Sequence, residues 1–484
     1  MSDTVWIPRV NGENAFDIRR LWSRDLGSYP TGSYRIFLLA IVVLANIVFT
    51  WTVAAGTAAT TVIFPRFGMT LNYYSDLLVV AGVLGALAAY ITSFGDRWGR
   101  ANMVVAGLLI NAVFALWAVP DAPGKFWFSF FTCLLFLADG AIFVGTPALV
   151  RDFSPQMQRG MAMGFWTFGP VAGYLVLSAV ARAYLPAVVT FADWQNLYRF
   201  SGYAALVMFV VCLFFLRDLP AGIRSQRMVA MNERVLVEAR ARGLDLATLT
   251  KNRWRQMLHV NTILSPIAIN LFLVIYSTAV AYFVFYVPEF LRFSLSSFNG
   301  LQEIYWAVCI VALVVSGYLS DRLRVRKPFM VLGSAGTIVA IILLMNAKPG
   351  VSFTAAALIL SLLSASLACT YCPWFASFTE TLEACNPGLI ATGSALAGFA
   401  TRLVGVPLGI VIPHIVGSPV ETSSGWRTWF YVCIGCVIAF VPFIWTMHGH
   451  WSPAKARAEF LEHEEKVAAE LRQLPVTAGE VAAG

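Results

Sequence analysis

Apolar stretches of about twenty residues recur down this chain, each long enough to cross a hydrocarbon core about 30 Å thick. Few architectures accommodate that recurrence. In lipid, every backbone N–H and C=O must find its partner within the spanning structure itself, so the stretches are read as helices. A transmembrane barrel would instead need segments of about ten residues alternating in polarity, and these stretches do not alternate. Only 12% of the 484 residues are charged and 58% are apolar, against roughly 25% charged in a soluble domain.

Twelve spans are expected, near 36–60, 74–94, 102–119, 127–149, 161–185, 198–216, 264–288, 300–319, 328–347, 353–375, 389–414 and 427–446. The polar intervals divide the chain into a lead-in (1–35), a first six-helix unit (36–216), a basic linker (217–263), a second six-helix unit (264–446) and a tail (447–484). The lead-in carries mixed charges (Asp17, Arg19, Arg20, Arg24, Asp25) and no short apolar region with a cleavage site, so no signal peptide is expected. Pro453–Leu474, rich in Ala, Glu, Lys and Arg, reads as a surface helix.

The net charge of +8 follows membrane topology rather than a nucleic-acid footprint. Arg66, Lys125, Arg182, Arg199, Arg292, Lys348 and Arg427 fall on one side of the expected spans, and Arg402 lies inside one. The other 26 of the 34 Lys and Arg lie on the side of the termini, nine of them between 217 and 263. Cytoplasmic loops carry the excess of Lys and Arg, so both termini are expected in the cytoplasm and the linker on an anionic leaflet. Of the eight cysteines, Cys369, Cys372, Cys433 and Cys436 form two CxxC pairs without a neighbouring His or carboxylate. They read as packing residues rather than a zinc site, so no metal or cofactor is expected.

The two halves share landmarks. Asp96-Arg97 after the second span matches Asp321-Arg322 after the eighth; Pro147 matches Pro373; Trp194 matches Trp426. Three matches in the same order, at slowly growing offsets, indicate a duplicated six-helix unit with small insertions. Parallel repeats of this kind are a transporter architecture, with solute held near the midplane between the halves.

The stretch Thr92-Ser-Phe-Gly-Asp96-Arg97-Trp-Gly99-Arg100 resembles the major facilitator signature G-x-x-x-D-R-x-G-R-K. Gly317-Tyr-Leu-Ser-Asp321-Arg322-Leu-Arg-Val-Arg326-Lys327 resembles its second-half copy. The resemblance implies an all-α membrane protein of two pseudo-symmetric six-helix bundles. It also implies that Asp96, Arg97, Gly99, Arg100, Gly317, Asp321 and Arg322 latch the cytoplasmic helix ends. The physics is local: an Asp can face the positive N-terminus of a neighbouring helix, an Arg can pair with a carboxylate, and Gly99 permits a tight turn. Thr92, Ala101 and Arg324 depart from the motif, which implies a differently wired latch.

Charge inside a span costs roughly 2.5–3.5 kcal/mol at a helix centre, so such residues point to function. Asp139 lies mid-way along the fourth span and Arg402 mid-way along the eleventh. The Arg402 guanidinium offers a fork that matches two carboxylate oxygens, and Gly398, Ala400 and Gly405 leave room beside it. A basic residue here also resembles the oxalate/formate and other organic-anion branches of the superfamily. A carboxyl taken out of water is cheaper protonated than ionised, so Asp139 is the candidate for proton coupling. An Arg402–Asp139 ion pair is the competing reading of both residues.

In the family, spans 1, 4, 7 and 10 line the cavity. The resemblance therefore adds Asn46, Trp51, Asn270, Tyr276, Tyr371 and Trp374 as candidate solute contacts, with Trp166 and Glu303 as weaker ones. The expected function is secondary active transport of a small organic anion such as a carboxylate, driven by protons or a counter-ion. The expected setting is a monomer in the plasma (inner) membrane, with the lipid bilayer its other partner and no nucleic acid. The alternative is proton-driven efflux of amphipathic compounds, for which Gly169, Pro170 and Gly173 match part of an antiporter signature. A membrane-embedded enzyme is a remote alternative: His463-Glu464-Glu465 lacks a second His, and no Walker A sequence is present.

Overall fold

In a computed structural model, the structure describes residues 24–26, 28–30, 32–93, 99–153, 159–186, 188–219, 260–385, 405–417 and 424–472. Among these residues the fold is helical, with two isolated bridges and no strand. Ten helices are long and apolar enough to cross a membrane. In chain order we number α1 (Gly32–Phe67), α2 (Leu71–Ser93), α3 (Arg100–Ala118), α4 (Lys125–Phe153), α5 (Arg159–Tyr184) and α6 (Phe191–Phe215). After the central stretch come α7 (Thr262–Phe290), α8 (Leu295–Leu323), α9 (Lys327–Met345), α10 (Phe353–Cys385), α11 (Gly405–Val416) and α12 (Gly425–Thr446). The tail helix is α13 (Pro453–Arg472). α5 and the shorter apolar α11 stand outside the ten, at the places of the expected fifth and eleventh spans. The linker expected at 217–263, with its periodicity at Met231–Leu249, falls almost wholly outside the described residues.

Several helices, α1, α6, α8 and α10 among them, outrun their expected bounds, and for α6 and α10 the local reasons are plain. α6 starts at Phe191 because Thr190 and Asp193 form a reciprocal capping box, which satisfies donors that a helix start otherwise leaves bare. α10 runs to Cys385, past the apolar stretch that hydropathy marks, through the polar residues Ser377, Thr379, Glu380 and Thr381. Their hydroxyls donate to nearby backbone carbonyls: Ser377 Oγ to His448 at 2.5 Å, Thr379 Oγ1 to Ala376 at 2.8 Å and Thr381 Oγ1 to Ser377 at 2.8 Å.

The repeat is visible in packing. Trp194 and Trp426, on the first turns of α6 and α12, are both fully buried. Trp194 packs against Phe191, Phe128 and Tyr198, and Trp426 against Tyr286 and Phe430. Pro147 and Pro373 both lie inside helices.

Lipid gives helices little hydrophobic drive to associate, so close approach at small residues matters more than in water. A Cβ on Gly169 would lie 2.5 Å from Asn46 Nδ2, and one on Gly173 would lie 2.8 Å from the Ile47 carbonyl. α1 and α5 therefore pack backbone to backbone. This accounts structurally for the two glycines of the partial antiporter signature.

From the middle of the helices towards their ends away from the termini, the far side, the helices before and after the central stretch are joined. Tyr174 of α5 stacks on Trp306 of α8 at 4.8 Å, and Arg182 Nη1 meets Glu303 Oε2 at 2.9 Å. Asn299 Nδ2 donates to the Ala58 carbonyl at 3.3 Å, and Tyr282 Oη donates to Ser75 Oγ at 3.0 Å.

Candidate functional site: a midplane aromatic cluster and two terminal-side latches

At the two motif loops the described contacts run through residues partly outside the motif. Asp96 and Arg97 lie outside the described residues. Gly99 follows them at φ +83°, and Arg100 opens α3. Arg100 Nη1 donates to Asp152 Oδ2 at 2.6 Å, both side chains being about nine-tenths buried (11% and 8% exposed). Asp218, just after α6, accepts the Ala101 N–H at 2.9 Å on Oδ2, setting a carboxylate on the positive N-terminus of α3. A Cβ at Gly99 would stand 2.8 Å from that oxygen, so the tight turn and the cap require each other. The lead-in is tied to the same point. Leu26 N–H donates to the Asp218 carbonyl at 2.8 Å, Asp218 N–H to the Arg24 carbonyl at 2.9 Å, and Arg24 Nη1 to the Cys212 carbonyl at 2.8 Å. Burial, followed by the nearby charge of Arg217, lowers the Arg24 guanidinium below its ordinary value, while Cys212 and Asp218 oppose the shift.

The second latch has the same logic. Arg324 occupies the left-handed conformation at φ +54° where the motif has glycine. Arg326 is the hub: Nη1 donates to Asp321 Oδ1 at 2.5 Å and to Ser320 Oγ at 2.8 Å, and Nη2 donates to Glu380 Oε1 at 2.8 Å. Burial alone would lower the Arg326 guanidinium, but Glu380 and then Asp321 outweigh it and hold it above its ordinary value. Arg322 extends along its own helix towards Tyr318 Oη at 3.4 Å. Gly317 admits Cys372, whose Sγ would lie 3.0 Å from a Cβ there. The sequence placed Arg326 in the second motif copy without a latch role, and it did not single out the carboxylates Asp152, Asp218 and Glu380.

The midplane candidates divide into two groups. Asn46 is buried and donates to the Trp166 carbonyl at 3.1 Å, while Trp166 Nε1 donates to Thr146 Oγ1 at 3.0 Å. Trp51 packs on Phe200 of α6 at 5.8 Å, and Asn270 donates back to the Pro266 carbonyl at 2.7 Å. These residues sit among helix contacts. The second group gathers around Trp306. Its ring stacks on Tyr174 at 4.8 Å and meets the Tyr276 edge at 6.1 Å. Tyr174 interacts electrostatically with the half-buried Asp139, and Tyr276 with Tyr371. Tyr371 continues to Trp374 at 5.6 Å, whose Nε1 donates to Ser265 Oγ at 3.0 Å. α5, α7 and α8 thus bring three aromatic rings together, and Asp139 of α4 lies within electrostatic reach of one of them. Trp306 and Tyr174, the centre of this group, escaped the sequence reading because helix periodicity does not reveal which face meets the other half. Arg402 lies outside the described residues.

Helices of this length, a duplicated landmark set, latched terminal-side loops and an acid among aromatics at mid-depth define a polytopic transporter fold. The model of the Major Facilitator Superfamily matches residues 36–409, and the chain belongs to that superfamily, whose members are transporters rather than enzymes. The chain is similar to the proline/betaine transporter of Escherichia coli (strain K12), 24% identical over 388 residues, 74% of this chain and 71% of that one. It is 24% identical to the proline/betaine transporter of Salmonella typhimurium over 369 residues, 70% of this chain and 67% of that one. It is 27% identical over 265 residues to the glycine betaine/proline/ectoine/pipecolic acid transporter OusA of Dickeya dadantii, 51% of this chain and about half (50%) of that relative's length. Among solved structures, a D-xylose-proton symporter superposes with a TM-score of 0.66 at 15% identity, covering 85% of this chain and 98% of that one. The inward-open xylose transporter XylE from E. coli superposes at 0.64 with 15% identity, covering 88% and 99%. These likenesses establish the fold.

Proposed function

We propose that the chain is a secondary active transporter that carries a small carboxylate-bearing solute by alternating access, coupled to protons. In this reading 36–216 and 264–446 form two six-helix bundles, and the protein is a monomer in the plasma (inner) membrane with both termini cytoplasmic. The observation that carries the reading is the Tyr174–Trp306–Tyr276 ring cluster with Asp139 within electrostatic reach of Tyr174. A cationic group over aromatic faces gains from the ring quadrupole, and a carboxylate at that depth is a group that can load and release a proton. Arg402 is the proposed partner of the solute carboxylate. The solutes in the relatives' names, proline and glycine betaine, carry both a carboxylate and a cationic nitrogen. The organic-anion expectation thereby sharpens to a zwitterion. With the far side joined at the α5–α8 seam, solute exchanges with the terminal, cytoplasmic face.

The test is uptake into proteoliposomes under an imposed pH gradient, acid outside. The panel comprises proline, glycine betaine, mono- and dicarboxylates, sugars and lipophilic cations. Carboxylate-bearing solutes accumulate and a protonophore collapses the accumulation; Asp139→Asn keeps solute exchange but loses accumulation; Arg402→Ala raises KM. Selective uptake of sugars or lipophilic cations, or undiminished accumulation by Asp139→Asn, would refute the reading.

A further inference from the structure

Just outside the Tyr174–Trp306 stack lies a narrow cavity between the halves, lined by Thr57, Ser178, Asn299 and Gln302 together with those two rings. The hydrogen bonds of its wall are lopsided. Thr57 Oγ1 donates to the Ala54 carbonyl at 2.7 Å, and Ser178 Oγ donates to the Tyr174 carbonyl at 2.9 Å. Asn299 Nδ2 is shared between the carbonyls of Leu295 at 2.8 Å and Ala58 at 3.3 Å. Each of these side chains has spent its protons on backbone, so what it has left to offer is acceptor oxygen. Gln302 lies one turn from Trp306 on the same face of α8. It is 8% exposed, and its amide has no hydrogen-bond partner among the described residues. Its amide borders the cavity, where a ligand can meet it.

An oxygen-rich wall beside aromatic faces suits a cation that carries hydrogen. We propose that this cavity is the solute's ammonium subsite, and that Gln302, Thr57 and Ser178 select primary or secondary ammonium groups over quaternary ones. The ammonium N–H groups donate to the oxygens of Gln302, Thr57 and Ser178, while the Trp306 and Tyr174 rings flank the adjoining carbons. A quaternary nitrogen has no N–H, so it would leave these acceptors desolvated and unmatched, the situation in which binding sites discriminate most strongly. The proposal rests on the zwitterion reading above and adds the chemistry that separates members of that class.

The experiment compares L-proline with N,N-dimethylproline as transported probes of the full-length protein in proteoliposomes, and uses L-prolinamide, which has the ammonium without the carboxylate, as a competitor. In the wild type, KM for proline is lower than for the dimethyl analogue by about tenfold or more, and prolinamide competes with proline. Gln302→Leu raises the proline KM about tenfold with the maximal rate little changed, and narrows the gap between the two probes. Thr57→Val, close in shape and free of an acceptor, moves KM the same way by less and guards against a folding defect in the first variant. Equal KM values for the two probes in the wild type, or an unchanged proline KM in both variants, overturns the proposal. Accumulation of carboxylates without any N–H preference sinks this inference alone. Competition by prolinamide without transport of any carboxylate sinks the solute class proposed above and leaves the ammonium subsite standing.

Discussion

Arg100 and Arg326 occupy comparable places in the two halves, and their surroundings predict unequal consequences. Arg100 and Asp152 are both nearly out of solvent (11% and 8% exposed), whereas Glu380 is one-third exposed (34%) and Asp321 mostly exposed (69%). Removing one partner of a buried pair leaves an uncompensated charge and costs about 3–5 kcal/mol, while exposed pairs contribute about 0–1 kcal/mol. Asp152→Ala is therefore expected to lower the denaturation midpoint of the purified protein clearly more than Glu380→Gln does. Equal losses in the two variants would show that solvent screening does not separate the latches. Asp96, Asp321 and their arginines were legible because the motif is local in sequence. The carboxylates that meet Arg100, Ala101 and Arg326, namely Asp152, Asp218 and Glu380, were not, since each comes from a segment more than fifty residues away in sequence.

At the scale of helices, the α1–α5 contact carries the sharpest expectation. Gly173 lies against the Ile47 carbonyl and Thr50, too close for any side chain without displacement. Gly173→Val would have to separate the two helices, and overpacking of this kind costs about 1–3 kcal/mol. Loss of thermal stability, with Gly173→Ala milder than Gly173→Val, is the expected order; a stable, fully active valine variant would mean that α1 and α5 part easily. The same contact engages Asn46, which the sequence offered as a candidate solute residue. An amide in an apolar span invites a functional reading, yet this one serves the helix pair by bonding to the Trp166 carbonyl. Span positions were readable from hydropathy to within a few residues for most helices. The early start of α6 and the long extension of α10 were not, because a capping box and a polar helical overhang carry no apolar signal.

For the molecule as a whole, the α5–α8 seam is one place where the two halves meet, and Arg182–Glu303 is a charged contact within it. Both side chains are partly exposed (55% and 33%), so the pair biases a conformational equilibrium rather than anchoring the fold. Arg182→Glu alone places two carboxylates together and is expected to loosen the far side, raising modification of a cysteine introduced at Ser178 by a membrane-impermeant thiol reagent. The exchanged pair Arg182→Glu with Glu303→Arg restores the wild-type rate of modification. If the exchanged pair labels as fast as the single variant, the contact has no part in closing this face.

Solvent and covalent geometry allowed the sequence to determine the class of structure. A chain this apolar satisfies its backbone in helices, its basic residues mark one face, and its duplicated Asp-Arg loops mark the family. Tertiary structure decided which of many buried polar and aromatic residues face one another across the halves. That choice depends on the rotation of each helix about its axis and on contacts between distant segments, neither of which a hydropathy pattern encodes. Tyr174 and Trp306 therefore emerged only from the packed molecule, and so did Gln302, an amide that looks unremarkable in sequence and stands at a cavity wall with its hydrogen-bonding groups unspent.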